Sequence, residues 1–278
     1  MKRLQRYSLP YIAWMTVFAL IPSLFLILLA FSDLSLFDLG SFSLTLQNFS
    51  IIGLDTTLKA MQNSLEFALI TAVICFLIGY PVALYLTTLK EKTRKILIAL
   101  LIVPLWSNML LRINAWEKIF TPSSIFTDIF GISFNLLGED IAIIIAMVAM
   151  YLPFMIFPIF SVLEKLDIKL IEAAKDLGAN DIQTFFRVIF PLSAGGIVSG
   201  TIMTFLPAMT AFALPQRISL GKTTFIGNII ESKFRTEVMD FNGVSINQGS
   251  MISLFLMLFS VTAFILIVRF DKEGETLI

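Results

Sequence analysis

Six long apolar runs dominate the chain. Each holds about 18 residues or more with at most one charged side chain, which is the length needed to cross the hydrocarbon core of a bilayer. The runs cover residues 11–31, 64–88, 96–116, 141–163, 191–214 and 250–268. Because lipid offers an open backbone no hydrogen-bond partner, the runs are predicted to be helices. Prolines and glycines inside them, such as Gly79, Pro153 and Gly200, predict kinks.

The first run has a second interpretation, a cleaved signal peptide with Lys2 and Arg3 as its basic start. Its apolar part is long for a signal peptide, and Ala30-Phe31-Ser32 is only a fair cleavage site. An uncleaved first span is therefore favoured.

Lys and Arg concentrate on one side of the predicted membrane. They are densest before the first run, in the connections around 89–95 and 164–190, and after the last run. Fewer lie in the connections 32–63, 117–140 and 215–249. Since cytoplasmic loops carry the excess of positive charge, both termini are predicted to be cytoplasmic. In the last outer connection, apolar residues at helical spacing predict a short amphipathic helix at the interface. These residues are Ile226, Ile229, Ile230 and Phe234.

Composition agrees with a membrane protein and excludes several kinds of site. Hydrophobic residues make up 57% of the 278 residues and charged residues only 14%, so much apolar surface must face lipid. The net charge is zero, and nothing suggests binding of nucleic acid. The chain has no histidine and one cysteine, Cys75, which predicts no metal site, no internal disulfide and no enzymatic centre.

The fourth connection, 164–190, is long, charged and predicted to be cytoplasmic. Its pattern predicts a helix that ends at Gly178, and a second helix capped by Asn180 or Asp181. One apolar face is predicted on each helix. The first comprises Leu166, Leu170, Ala173, Ala174 and Leu177; the second comprises Ile182, Phe185, Phe186 and Ile189. From the residues alone, this hairpin is either a solvated loop or a docking element that a partner's groove receives.

One motif in this connection resembles the EAA signature of ABC importer permeases. It consists of Glu172-Ala173-Ala174, three residues, Gly178, nine residues, and then Val188-Ile189-Phe190-Pro191. The family pattern ends in Ile-x-Leu-Pro, and the two exchanges here keep apolar character. The resemblance implies that residues 164–190 couple the chain to an ATPase. The coupling residues it implies are Glu172, Ala173, Ala174, Asp176, Leu177 and Gly178.

The resemblance extends over nearly the whole chain from about residue 60. Segments 100–113, 172–200, 206–209 and 226–228 are similar to the first permease subunit of spermidine/putrescine importers. This implies an all-α, six-helix type I importer bundle forming a single domain over 1–278 in the bacterial inner membrane. It also implies a second permease, two cytoplasmic ATPases that bind ATP and magnesium, and an extracytoplasmic binding protein. The chain itself is expected to bind no cofactor and to translocate a polyamine.

A set of polar and aromatic residues in the spans is the candidate solute path, since aromatic faces hold organic cations. The set comprises Glu66, Trp106, Asn108, Arg112, Asn114, Tyr151, Met209 and Phe212. Taken alone, each aromatic or amide residue is better explained by interfacial anchoring or helix packing, and only the set as a whole points to a path. Arg112 is unfavourable for a cationic solute unless a carboxylate neutralises it, so Glu66, or alternatively Glu117, is predicted to pair with it.

Other functions stay open at this stage. Within the same family, the solute could be ferric ion, sulfate or a phosphonate. From another class, an autonomous secondary transporter would need an ion site of acidic or histidine residues inside the bundle. Only Glu66 and Arg112 are charged in the predicted spans, which disfavours that class.

Overall fold

The computed structural model describes residues 10–11, 14–33, 43–122, 131, 135–236 and 244–270. Regular structure in this part is helical, apart from an isolated bridge between Ser32 and Leu44. The chain divides into two compact units, residues 1–59 with 228–261 and residues 60–227 with 262–278. The prediction of a single domain over residues 1–278 stays a prediction.

The helices are numbered in chain order. They are α1 Thr16–Ala30, α2 Asp55–Thr88, α3 Glu91–Trp106, α4 Met109–Phe120, α5 Asp140–Leu163, α6 Ile168–Asp176, α7 Asp181–Leu192, α8 Ala194–Met209, α9 Ala213–Ile218, α10 Ile226–Thr236 and α11 Val244–Phe270. A π-helical turn begins α1 at Thr16–Leu20, and another lies within α7 at Phe185–Ile189. Helix α10 confirms the helix predicted in the last outer connection.

Several helices are long and apolar enough to cross a membrane. Unbroken candidates are α2, α5 and residues Ser245–Ile265 of α11. Two further candidates are bent pairs, α3 with α4 and α7 with α8, and α1 is apolar but shorter. By length and composition, the described residues thus hold three spans, or five if each bent pair counts as one, against the six predicted. The chain is a multi-pass membrane protein.

The segment predicted as a span at 96–116 contains a break, because α3 and α4 meet at an angle of 96°. Pro104 lies in the last turn of α3 and has no N–H to donate to the Leu100 carbonyl, which weakens the helix there. Ser107 ends the helix, donating its N–H and its hydroxyl to the Pro104 carbonyl at 3.2 and 2.7 Å. Asn108 then starts α4 as its N-cap, and its side chain accepts a hydrogen bond from Leu110 N–H at 2.8 Å.

The fifth predicted span, 191–214, is also interrupted. Helices α7 and α8 meet at Ser193 with a bend of 62°, and α8 ends at Met209. Pro191 lies just before the bend, and the π-helical turn precedes it. Proline removes a backbone donor from the last turn of α7, which favours a break at this point.

Glycines in the second unit bring helices into contact rather than simply kinking them. A Cβ added at Gly200 of α8 would lie 2.9 Å from Met155 Sδ and 3.0 Å from the Met155 carbonyl oxygen in α5. A Cβ added at Gly79 of α2 would lie 3.2 Å from Met155 Cγ. Met155 is fully buried, so three helices converge around this side chain. Such close backbone approach is the usual role of small residues between membrane helices.

The first unit contains a buried amide, Asn48, and a small buried apolar cluster of Leu29 and Ile246. Asn48 donates from its side chain to the carbonyls of Ala30 and Ser32, at 3.0 and 2.8 Å. These bonds satisfy backbone acceptors at the end of α1. Elsewhere in this unit, Lys233 of α10 donates to Gln248 of α11 at 2.7 Å.

Candidate functional site

The coupling hairpin, residues 164–190, begins with a capped helix. Asp167 is the N-cap of α6, and its carboxylate accepts a hydrogen bond from Lys169 N–H at 3.0 Å. Helix α6 then runs from Ile168 to Asp176 without a buried side chain. A helix this short is marginal by itself, so its ends need fixed partners.

Gly178 forms the corner, as the sequence predicted. Its φ is +86°, a conformation that L side chains rarely adopt. Gly178 N–H donates to the Lys175 carbonyl at 2.9 Å, and Ala179 N–H donates to the Ala174 carbonyl at 3.0 Å. Together these bonds form a Schellman motif that closes the C-terminus of α6.

Asn180, and not Asp181, is the N-cap of the second helix, which settles the choice between the two predicted caps. Asn180 and Gln183 exchange side-chain and backbone hydrogen bonds at 2.8 and 3.0 Å, a complete capping box. Lys175 and Asp181 form an ion pair across the corner at 2.9 Å. Both sides of the corner are thus fixed by local sequence.

The predicted apolar face of α6 lies largely at the surface. Leu170 and Ala173 are exposed and Leu177 is 90% exposed, whereas Leu166 and Ala174 are partly exposed. We call Leu170, Ala173 and Leu177, spaced i, i+3 and i+7, the docking face. Of the other predicted coupling residues, Glu172, Asp176 and Gly178 are exposed as well.

A cavity of about 250 Å³ lies behind α6. Its lining comes from the end of α2, the start of α3, the end of α5, α6 and α7. The lining residues are Leu84, Thr87, Arg94, Leu163, Glu164, Leu166, Ile168, Ile171 and Ile189. At its wall, Arg94 Nη2 and Glu164 Oε1 form an ion pair at 3.1 Å. This cavity separates part of α6 from the helices behind it.

The far end of the hairpin is held by a tyrosine that the sequence analysis missed. The hydroxyl oxygens of Tyr80 in α2 and Ser193 lie 2.8 Å apart, and Ser193 also donates to the Phe190 carbonyl at 2.9 Å. Tyr80 packs against Phe185 and Phe190 with ring centroids 5.7 Å apart in each case. This buried contact ties α2 to the bend between α7 and α8.

The predicted path residues separate into buried and exposed groups. Tyr151 and Met209 are buried, and the Tyr151 hydroxyl donates to the Pro207 carbonyl at 3.3 Å. The remaining members, apart from partly exposed Arg112, are exposed. These are Glu66, Trp106, Asn108, Asn114 and Phe212.

Arg112 does not have its predicted partner. No ion pair within 4.0 Å joins Arg112 to Glu66 or Glu117 in the part of the chain that the structure describes, and Glu117 pairs with Arg217 at 3.4 Å instead. The Nε of Arg112 is buried and lacks a hydrogen-bond acceptor among those same residues. A buried, unpaired guanidinium nitrogen is costly, so the site can accept an anionic or carbonyl group.

A sequence model of the family described as "Binding-protein-dependent transport system inner membrane component" matches residues 76–273. The chain belongs to this family. It is a permease subunit of an ABC importer and a transport component rather than an enzyme.

Relatives in this family are similar along most of the chain. The spermidine/putrescine transport system permease protein PotB of Haemophilus influenzae is 34% identical over 253 residues, covering 89% of this chain and 88% of that protein. PotB of Escherichia coli K12 is 36% identical over 230 residues, covering 80% of this chain and 83% of that protein. An inner membrane ABC transporter permease protein of E. coli K12, YdcU, is 25% identical over 208 residues, covering 68% and 66%.

Solved structures show the same fold at low sequence identity. A chain of a bacterial ABC transporter involved in the import of the acidic polysaccharide alginate superposes with a TM-score of 0.73 at 15% identity, over 97% of this chain and 96% of that chain. A second structure of a bacterial alginate ABC transporter, in complex with an alginate pentasaccharide-bound periplasmic protein, gives 0.73 at 16% identity, over 98% and 95%. The fold is therefore that of ABC importer membrane subunits.

Proposed function

We propose that this permease serves a bacterial importer of polyamines, with spermidine and putrescine as its solutes. The observation that supports this best is the similarity to PotB proteins, 34% and 36% identical in the two relatives described above. Buried Tyr151 and exposed Trp106 and Phe212 supply aromatic faces on which an organic cation is stabilised.

Arg112 favours a second candidate, a small anionic solute such as sulfate or a phosphonate. Its buried Nε lacks an acceptor in the described part of the chain, and a guanidinium binds an oxyanion well. For a polyamine, the same charge would repel the solute. In that case Arg112 lies beside the path rather than in it.

The proposed assembly contains this permease, a second homologous permease, two cytoplasmic ATPases and an extracytoplasmic binding protein. Six spans cross the bacterial inner membrane with both termini in the cytoplasm. ATP and magnesium bind to the ATPases, and this chain holds no cofactor. In support, one structural relative was solved with a periplasmic protein bound, and Lys and Arg are concentrated on the side assigned to the cytoplasm.

The coupling hairpin is proposed to dock in a groove of the ATPase through its docking face. The motif Glu172-Ala173-Ala174 with the Gly178 corner motivates this role. Leu177 is 90% exposed, and such an apolar side chain at the tip of a cytoplasmic hairpin gains by burial against a partner. Movement of the ATPases on binding and hydrolysing ATP would then displace the hairpin and switch the spans between outward and inward access.

Transport by the assembled complex tests the solute. The complex is purified through a tag on this chain, reconstituted into vesicles with ATP inside and the binding protein outside, and offered labelled spermidine, putrescine, sulfate, a phosphonate and ferric ion in turn. We expect ATP-dependent uptake of the two polyamines only. Uptake of sulfate or phosphonate without polyamine uptake would establish the second candidate, and uptake that needs an ion gradient but no ATP would contradict both.

A further inference from the structure

An ion pair joins the root of the coupling hairpin to a different cytoplasmic segment. Glu164 follows the last residue of α5, where the hairpin starts, and Arg94 lies in the first turns of α3. The two side chains are 3.1 Å apart and only 41% and 23% exposed. A pair that is partly removed from water is screened less than one on an open surface.

Each of these charges is at the unfavourable end of its own helix. The N-terminus of a helix carries partial positive charge and the C-terminus partial negative charge. Arg94 is near the N-terminus of α3, and Glu164 is the C-cap of α5. Neither charge is therefore stabilised by its helix at that position, and each is stabilised by the other. The two charges therefore stabilise the contact between α3 and α5 and do not stabilise either helix by itself.

Packing elsewhere along α3 is weak. Helix α3 has no buried side chain, and the 250 Å³ cavity lies between its start and α6. Coupling between elements is carried by packed side chains and by hydrogen bonds or salt bridges, so where packing is sparse a salt bridge carries a larger share of it. Helix α3 continues through the bend at Ser107 into α4, which carries Arg112 and Asn114 of the candidate path.

We propose that Arg94 and Glu164 are positioning residues that transmit displacement of the coupling hairpin to α3 and α4, and so to the candidate solute path. This rests on the proposed function, because it assumes that the hairpin moves with an ATPase. Loss of the pair leaves the docking face intact. ATP is then still hydrolysed, but less solute is moved for each ATP.

The test compares single substitutions with an exchange of the two charges. Complexes carrying Arg94→Gln, Glu164→Gln, or Arg94→Glu with Glu164→Arg are reconstituted, and uptake of labelled spermidine is measured together with ATP hydrolysis. We expect each single variant to assemble normally and to lose about five-fold in solute moved per ATP, the effect of a modest coupling between sites. The exchanged pair should restore the ratio, because it re-forms the contact and also places each charge at the favourable end of its helix.

A matched control is available on the same helix. Glu91 and Lys95 form an exposed pair one helical turn apart, at 69% and 72% exposure, and replacing both with Gln should leave the ratio unchanged. The inference is overturned if the single variants keep the wild-type ratio, if uptake and hydrolysis fall together with the amount of assembled complex, or if the exchange fails to restore coupling. A wild-type complex that takes up none of the five solutes in an ATP-dependent way would instead refute the proposed function.

Discussion

The contact between α5 and α8 gives the most direct structural prediction, through the substitution Gly196→Ala. A Cβ at residue 196 would lie 2.8 Å from the Pro158 carbonyl oxygen and 2.9 Å from Ile159 Cα. Both atoms belong to the backbone of α5, so no rotation of a side chain relieves the clash. Helices α5 and α8 must move apart instead.

Two opposing effects decide the size of the change. Alanine improves on glycine in a helix by about 1 kcal/mol. Forcing a methyl group into a filled contact costs about 1–3 kcal/mol, and a clash with backbone belongs in the upper part of that range. We therefore expect a net loss of about 1–2 kcal/mol, since the steric cost exceeds the helix-forming gain.

Thermal unfolding of the purified protein in detergent, followed by size-exclusion chromatography with fluorescence detection, measures this loss. A midpoint lower by a few degrees is expected for a chain of this size. Gly195→Ala is the control, because Gly195 is adjacent in the same helix but partly exposed. We expect Gly195→Ala to unfold at or above the wild-type temperature. If Gly196→Ala does so as well, the close approach of α5 and α8 is refuted.

Three further outcomes are expected. Reporter fusions should place residue Lys175 in the cytoplasm and Lys222 outside, and the reverse result would invert the proposed topology. Gly178→Val should reduce transport, because valine at the φ of +86° is strained by about 1–2 kcal/mol. Gly178→Asn should reduce transport less, because asparagine tolerates this conformation, and equal effects of the two substitutions would argue against strain. Tyr80→Phe removes the hydroxyl that contacts Ser193 and should lower the stability by about 1 kcal/mol in the same unfolding assay, and an unchanged midpoint would show that this contact is dispensable.

The sequence predicted the turns and helix caps, because neighbouring residues along the chain determine them. The Gly178 corner follows from a glycine after a helical pattern, and the Asn180 cap follows from an amide side chain before the next one. The break at Ser107 was also marked in the sequence by Pro104 and Asn108, but hydropathy alone joined the two helices into one span. Apolar composition shows where the chain is in lipid and does not show where a helix bends.

Features that depend on distant residues could not be predicted in the same way. The proximity of Gly196 to Pro158, and of Arg94 to Glu164, exists only after the helices pack. Arg112 shows the same limit, because charge balance predicted a carboxylate partner and Glu117 is instead paired with Arg217. Opposite charges in the connections 89–95 and 164–190 were a visible signal for the Arg94 contact, but many such pairs were compatible with the sequence.

The central claim, that this permease binds an ATPase through the coupling hairpin, is tested most directly by co-purification. Leu177→Asp and Ala173→Trp alter exposed positions of the docking face, so the fold of the chain should tolerate them, whereas Ala174 is partly covered and makes a less specific test. Leu46→Asp, at a residue 69% exposed on the side assigned to the exterior, is the control. We expect wild type and control to retain the ATPase, and both hairpin variants to reach the membrane at normal levels without ATPase or transport. Hairpin variants that keep an intact complex and full transport would contradict the claim.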